Sequence, residues 1–248
     1  SGGSNYHFGS DEIFASGNGN IIAGDILFQV PNVVSTINFV NNKTVHFGDD
    51  NIHGSAGSDT ISGDMVSGAF NGIAGTTSVS VSFGSDRIEG AGGDDILSGD
   101  FYGNNLATVQ GFGGFIFFSG TGSSLAVPAH DTFVYNLAEV NGLGNDIIKD
   151  FNLGNVTDTL EFHNVMDVDG VNGVSMDDLV ALTDVVDNGS GGAKIMIYNS
   201  AANHDAAHFV GSIDLQQNTI GGLATGAHYS GSAGGSNAIT DYAKDRKS

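Results

Sequence analysis

The sequence predicts an all-β fold: a parallel β-solenoid or β-helix-like stack of coils, with strands inserted between paired turns and a small C-terminal cap. Three observations predict it. A turn rich in glycine and aspartate recurs at long, nearly constant intervals. Each copy is followed nine residues later by a second turn of the same kind. Each turn leads into an apolar residue at the same offset, in a chain that is 40% hydrophobic.

The first turn is Phe8-Gly9-Ser10-Asp11-Glu12-Ile13, which returns as Phe47-Gly48-Asp49-Asp50-Asn51-Ile52 and as Phe83-Gly84-Ser85-Asp86-Arg87-Ile88. The intervals are 39 and 36 residues. The second turn places Asn20, Asp59 and Asp95 nine residues after Asp11, Asp50 and Asp86. Gly57 and Gly93 precede it as Gly48 and Gly84 precede the first, and Ile22, Ile61 and Leu97 follow it. Each pair of turns closes on Gly-Asp: Gly24-Asp25, Gly63-Asp64 and Gly99-Asp100.

Glycine permits a sharp, often left-handed turn, and Asp places a short carboxylate inside it. The apolar residue begins a short strand and points inward. One such unit buries too little to fold; stacked units pair their strands and align their apolar residues. Phe8, Phe47 and Phe83 hold equivalent places and are expected to stack in the core. Stacking also crowds equivalent carboxylates, which is unfavourable without a cation. Calcium suits that geometry because it takes six to eight oxygens in irregular arrangements, whereas magnesium demands an octahedron.

The composition agrees. Net charge is −21, with 28 acidic residues against seven Lys and Arg, and 24 of the acidic residues are Asp. A bound divalent cation neutralises such a surplus, where monovalent salt only screens it. The balance disfavours a nucleic-acid partner, which needs basic patches. No run of 18 apolar residues exists to span a membrane as a helix. The absence of cysteine excludes disulfides, thiolate metal sites and cysteine nucleophiles together. A chain opening on Ser1 rather than Met is expected to have been processed or trimmed.

Gly54-Ser55-Ala56-Gly57-Ser58-Asp59-Thr60-Ile61-Ser62 and Gly90-Ala91-Gly92-Gly93-Asp94-Asp95-Ile96-Leu97-Ser98 resemble the nonapeptide G-G-x-G-x-D-x-U-x of the haemolysin-type calcium-binding (RTX) repeats. The resemblance implies a right-handed parallel β-roll with several Ca2+ ions between neighbouring turns. It also implies export by type I secretion and folding on extracellular calcium. It assigns Asp11, Asp50, Asp59, Asp86 and Asp95 as ligands, in turns shaped by Gly9, Gly48, Gly57, Gly84 and Gly93. Asn20, Asp25, Asp64 and Asp100 join the candidate metal residues. Asp131-Thr132-Phe133-Val134-Tyr135, Gly144-Asn145-Asp146-Ile147-Ile148-Lys149-Asp150-Phe151 and Asp158-Thr159-Leu160-Glu161-Phe162 resemble the segment that caps many RTX repeats. That adds Gly144, Asp146 and Asp150.

The departures carry expectations of their own. Asn20 offers one neutral oxygen where Asp offers a carboxylate, so the first site should be weaker or absent. Segments 26–46, 65–82 and 101–130 separate the turn pairs, and either widen the coil or project as hairpins. Ser78 to Phe83 alternates strictly, as a half-buried strand does. Phe112 to Phe118 is an aromatic run that needs covering. The division expected is 1–162 for the solenoid and 163–248 for a cap and secretion-related or interaction region. There, Ser175 caps a short helix with an acidic first turn. Lys194–Tyr198 and His208–Gly211 form a hairpin, and about 221 to 240 is loosely ordered or bound to a partner.

Catalytic motifs are missing. Asp167-Val168-Asp169-Gly170 fails the EF-hand register, since Val165 and Met176 fall where oxygen ligands belong, and reads as an acidic turn, with an irregular calcium loop as the alternative. His204 and His208, with Asp205, are spaced for a metal face on a helix, but H-E-x-x-H is absent. No G-x-S-x-G, P-loop or dinucleotide fingerprint occurs. The reading that follows is a noncatalytic structural or interaction protein of the bacterial exterior: an adhesin, surface-layer element or assembly subunit. It would meet a protein partner, further copies of itself or a polysaccharide. The alternative is an accessory module or processed fragment of a secreted hydrolase or polysaccharide-modifying enzyme.

Overall fold

The apolar residue two places after each turn aspartate sets where strands form and which way they face. The computed structural model describes residues 6–27, 36–39, 43–66, 69–72, 79–102, 124–127, 129–138, 142–151, 158–170, 173–188, 193–215, 228–230, 237–239 and 241–243. Strands Glu12–Phe14, Asn51–Ser55, Arg87–Ala91, Thr132–Asn136 and Thr159–His163 lie side by side, all parallel. A second sheet aligns Ile21–Ala23, Thr60–Ser62, Ile96–Ser98, Gly144–Ile148 and Phe209–Leu215, again parallel. The fold is therefore all-β apart from one helical turn and a half, with mostly parallel sheets, as a parallel solenoid requires.

The segments between turn pairs join the stack. Tyr6–His7, Lys43–His46, Val79–Ser82 and Ser124–Val127 make a third parallel sheet. Ile26–Leu27, Met65–Val66 and Phe101–Tyr102 make a fourth, and Thr36–Phe39 pairs with Ala69–Gly72. Each insert strand pairs with its counterpart in the neighbouring coil, so among the described residues the inserts widen the coil. The Phe112–Phe118 run lies outside the described residues.

The registers align two apolar ladders. Ile13, Ile52, Ile88, Phe133 and Leu160 are successive partners, as are Ile22, Ile61, Leu97, Ile148 and Leu215. The interior members are fully buried, whereas Ile13 in the first coil is half-buried. Phe8, Phe47 and Phe83 stack at centroid distances of 5.1 and 5.5 Å, as their equivalent places demanded.

One end of the stack is covered. Ser175 caps helix Met176–Ala181, with Asp178 completing a reciprocal capping box. Thr183–Asp187 and Ala193–Tyr198 follow as an antiparallel hairpin, and Ala193–Tyr198 pairs antiparallel with Phe209–Leu215, the last parallel strand. Asn237–Ile239 pairs antiparallel with Thr159–His163. The expected helix and hairpin are thus present. Most of 221–240 lies outside the described residues.

Because Ile88 is fully buried mid-ladder and Ile13 half-buried in the first described coil, their truncations should differ. Ile88→Ala is expected to cost about 2–5 kcal/mol, as cavities in packed cores do, and Ile13→Ala clearly less. Denaturant midpoints at fixed cation concentration check the order; equal losses would refute the ladder.

Candidate metal centre

Asp is short enough for its carboxylate to reach the backbone of the next turn while its own backbone stays in the turn. Here it reaches the coil before. Asp50 Oδ1 accepts the amide of Asp11 at 2.6 Å, Asp86 that of Asp50 at 2.7 Å, and Asp131 that of Asp86 at 2.8 Å. Asp158 accepts that of Asp131 at 2.9 Å. The second turns repeat the device: Asp59 accepts from Asn20 at 2.6 Å, Asp95 from Asp59 at 2.7 Å, and Asp146 from Asp95 at 2.9 Å. The closing aspartates reach the other way. Asp25 accepts the Gly48 amide at 2.8 Å, Asp64 that of Gly84 at 3.1 Å, and Asp100 that of Ala129 at 3.2 Å.

The two directions of reach converge. Carboxylate oxygens of Asp11, Asp25 and Asp50 lie within 4.8 Å of one another, and so do those of Asp50, Asp64 and Asp86. Asp50 belongs to both clusters. The second is buried throughout: Asp50 and Asp86 are each 2% exposed and Asp64 is fully covered. Oδ2 of Asp50 and of Asp86 is buried with no hydrogen-bond partner. The clustered acidic residues can therefore coordinate a divalent ion, and two of their oxygens have no other occupation in the protein.

The surrounding charges act accordingly. Burial, then the neighbouring aspartates against the relief of one amide bond, pushes Asp50 up to about 7 and Asp86 to about 8. Burial with the charges of Asp86, Asp100 and Asp131 drives Asp64 well above the carboxylate range. Burial raises Asp100 and Asp131 as well, followed by the charge of Asp150 on the first and of Asp100 on the second. Without a counter-ion these groups hold protons near neutrality; with one they become ligands.

Glycine before each closing aspartate makes the room. A β-carbon on Gly63 would overlap Asp86 Oδ2 and the Gly99 carbonyl oxygen, and one on Gly24 would meet Asp50 Oδ2 and the Gly63 carbonyl. Gly48 and Gly84 are needed for a related reason, since their α-carbons press on the Gly9 and Gly48 carbonyls. Of the five turn glycines expected to shape ligand turns, Gly93 alone has a left-handed φ, 112°. Close coil-to-coil approach selects glycine at Gly48, Gly57 and Gly84, whereas a β-carbon on Gly9 would meet nothing within 4 Å. Gly144 has φ 78° and packs on the Gly93 carbonyl.

The second ladder is placed apart from the clusters. Asp59 Oδ2 takes the Ser55 amide and hydroxyl, and Oδ1 also takes the Asn20 side chain, so Asp59 is saturated by the protein. Asn20 thus ends this ladder as a donor and takes no carboxylate away from the Asp11–Asp25–Asp50 cluster. Asp150 caps the closing column, accepting from Ser98 Oγ and from the Gly99 and Asp100 amides. Asp131 and Asp158 were not singled out as site residues. Their signal was legible, since Asp131-Thr132-Phe133 and Asp158-Thr159-Leu160 repeat the spacing of Asp50-Asn51-Ile52.

Elsewhere, Asp167, Asp169 and Asp178 form a third acidic group. Asp178 is committed to capping, with both oxygens accepting from Val168 and Ser175. His204 contacts Asp184 and the Ala181 carbonyl, while His208 contacts Asp205, so the two histidines face different partners. No described helix is long and apolar enough to cross a membrane. No protein-family model, curated protein or solved structure matches the chain. The geometry above therefore carries the functional argument.

Two outcomes follow. The folded carboxyls titrate near 7 to 8 while unfolded ones titrate near 3.8, so the metal-free fold binds more protons than the unfolded chain between those values. Its stability should fall as pH rises from about 5 to about 8 and be greatest at the acid end, read as the thermal midpoint in chelator. A rising midpoint would refute the assignment. Gly63→Ala should destabilise the fold by more than about 1 kcal/mol, because backbone as well as carboxylate must move, whereas the same change at an unstrained glycine stabilises; Gly170→Ser, in open space, is its surface control at a left-handed glycine.

Proposed function

We propose that the protein is a calcium-binding structural or interaction protein of the cell exterior whose coils fold around a row of Ca2+ ions. The single observation that carries it is the Asp50–Asp64–Asp86 cluster, in which two buried oxygens lack any donor. Three carboxylates converge with turn carbonyls beside them, an irregular all-oxygen set of the kind calcium accepts and magnesium does not. The resemblance to RTX repeats supports the same ion. It also supports a β-roll whose coils are widened by insert strands, and secretion in an unfolded state before calcium is met outside the cell.

The structural role follows from where the charge sits. The clusters bind adjacent coils to one another, so an ion there stabilises the stack itself. Binding energy becomes folding energy when only the folded chain presents the ligands. An adhesin, surface-layer element or assembly subunit needs that property: it is soft before export and rigid after it.

Calcium should convert a poorly ordered chain into a β-rich one, with chelator reversing the change in far-ultraviolet circular dichroism. Asp64→Asn keeps an acceptor for the Gly84 amide but removes a charge. It should weaken calcium binding on the order of tenfold or more, given that even outer partners of a metal are worth that much. Identical spectra with and without chelator would sink the proposal.

A further inference from the structure

The cap carries a histidine whose two ring nitrogens both face acceptors. His204 lies in the connection between strands Ala193–Tyr198 and Phe209–Leu215. Its Nδ1 is 2.9 Å from Asp184 Oδ2, and its Nε2 is 2.9 Å from the Ala181 carbonyl oxygen. A backbone carbonyl accepts and never donates, and so does an ionised carboxylate. A neutral imidazole has one N–H, so it can serve one of these oxygens and sets a lone pair against the other. The imidazolium has two N–H groups and serves both.

The helix asks for the same charge. A helix leaves its last four carbonyls without intrahelical partners, at the negative end of its dipole. In Met176–Ala181, backbone amides at the C-terminal cap take the carbonyls of Asp178, Leu179 and Val180. The Ala181 carbonyl meets His204, 23 positions further along the chain. The last turn has no basic residue of its own, so the cation comes from the connection. The ring is held on its face as well, stacked on Tyr198 with centroids 4.3 Å apart and planes 2° from parallel. The His204 side chain is 24% exposed and that of Asp184 25%, so the pair is largely shielded from water. Three elements thus converge on one imidazole: the helix end, strand Thr183–Asp187 through Asp184, and strand Ala193–Tyr198 through Tyr198.

The other charged groups on these elements are placed elsewhere. Asp177 and Asp178 belong to the first turn of the helix, opposite to Ala181. Asp187 and Lys194 lie towards the other end of the hairpin, where Val186 pairs with Lys194. Within the connection, Asp205 meets His208 Nδ1 at 2.7 Å.

We infer that His204, as its imidazolium, is a pH-sensitive latch that pins the 199–208 connection to the helix end and to strand Thr183–Asp187. Histidine side chains exchange this charge between about pH 5 and pH 8. The latch is therefore closed on the acid side and loses one of its two bonds as pH rises. The connection runs directly into Phe209–Leu215, the last parallel strand, so the latch bears on how firmly the cap closes the stack. The inference involves none of the turn aspartates and stands apart from the calcium reading.

Nuclear magnetic resonance on the full chain, at one fixed calcium concentration, tests it. A solvated imidazolium exchanges its protons too fast to be seen, whereas a latched one shows both ring N–H signals. At about pH 6, His204 should show two, the Nδ1 proton near Asp184 and the Nε2 proton near Ala181; Asp184→Ala should lose the first. The backbone amides of Asn199 and His208, bonded to His208 and Asp205 within the connection, report its closure. Corrected for intrinsic pH dependence, their exchange should speed up about two- to fivefold between acid and alkaline conditions, the range expected for a charge at a helix C-terminus. His204→Gln should abolish that rise, and His208→Gln should retain it. A single ring N–H on His204 at acid pH in the unmodified chain overturns the inference and assigns the shared proton to Asp184. A rise that survives His204→Gln overturns it as well and moves the response to His208.

Discussion

The structure depends on one hydrogen bond used many times: a turn aspartate accepts the amide of the equivalent residue in the coil before it. The bond links residues 39, 36, 45 and 27 positions apart along the first ladder. Coil length therefore varies while the contact does not. A buried amide without an acceptor costs roughly as much as a lost hydrogen bond, so each turn needs the next one in register. Because a one-residue slip would also turn every inward apolar residue outward, the carboxylate and the apolar ladder enforce the same alignment.

That bond has an electrostatic consequence. Each Asp spends one oxygen on the coil before it and has a second to place. Stacking brings that second oxygen against the closing Gly-Asp turn of the coil before, whose aspartate reaches towards it. Two opposite directions of reach therefore produce clusters of three carboxylates with Asp50 shared between two of them. Burial makes the charged form costly without a partner. The same arrangement that fixes register thus creates a demand for protons or a cation, and two ions, one in each cluster that shares Asp50, would join three successive coils.

Much of this was legible in the sequence because the repeat is printed in residue types. The spacing of Asp50-Asn51-Ile52 against Asp86-Arg87-Ile88 gives both the ladder and the strand pairing, and the Phe8, Phe47 and Phe83 stack follows directly. The grouping of Asp25 with Asp11 and Asp50 was not legible. Residues 14 to 39 apart meet only because the coil is closed by strands whose length no local pattern states. The reason for glycine at Gly48 and Gly84 was not legible on similar grounds: a left-handed turn and a backbone carbonyl pressed against an α-carbon ask for the same residue. The course of the inserts was undetermined, since an alternating run such as Val79–Ser82 suits a hairpin as well as a parallel neighbour, and only the partner decides.

The two ends of the stack obey the same constraint differently. At the cap end, the antiparallel strands Ala193–Tyr198 and Asn237–Ile239 cannot continue a ladder that needs parallel turns, and they stop it. At the other end nothing described follows the first coil, and its side chains show it: Phe14 is 68% exposed and Ile21 54%, where their counterparts deeper in the stack are covered or half-covered. Asn20 suits that position. Its amide donates into the coil after it, to Asp59 and Ser55, and adds no charge to its turn. An aspartate there would bring a second carboxylate against Asp59 without an amide to receive. Asn20 is thus consistent with the direction of the hydrogen bonds, and it separates the ladder that ends in a donor from the ladder that begins with Asp11.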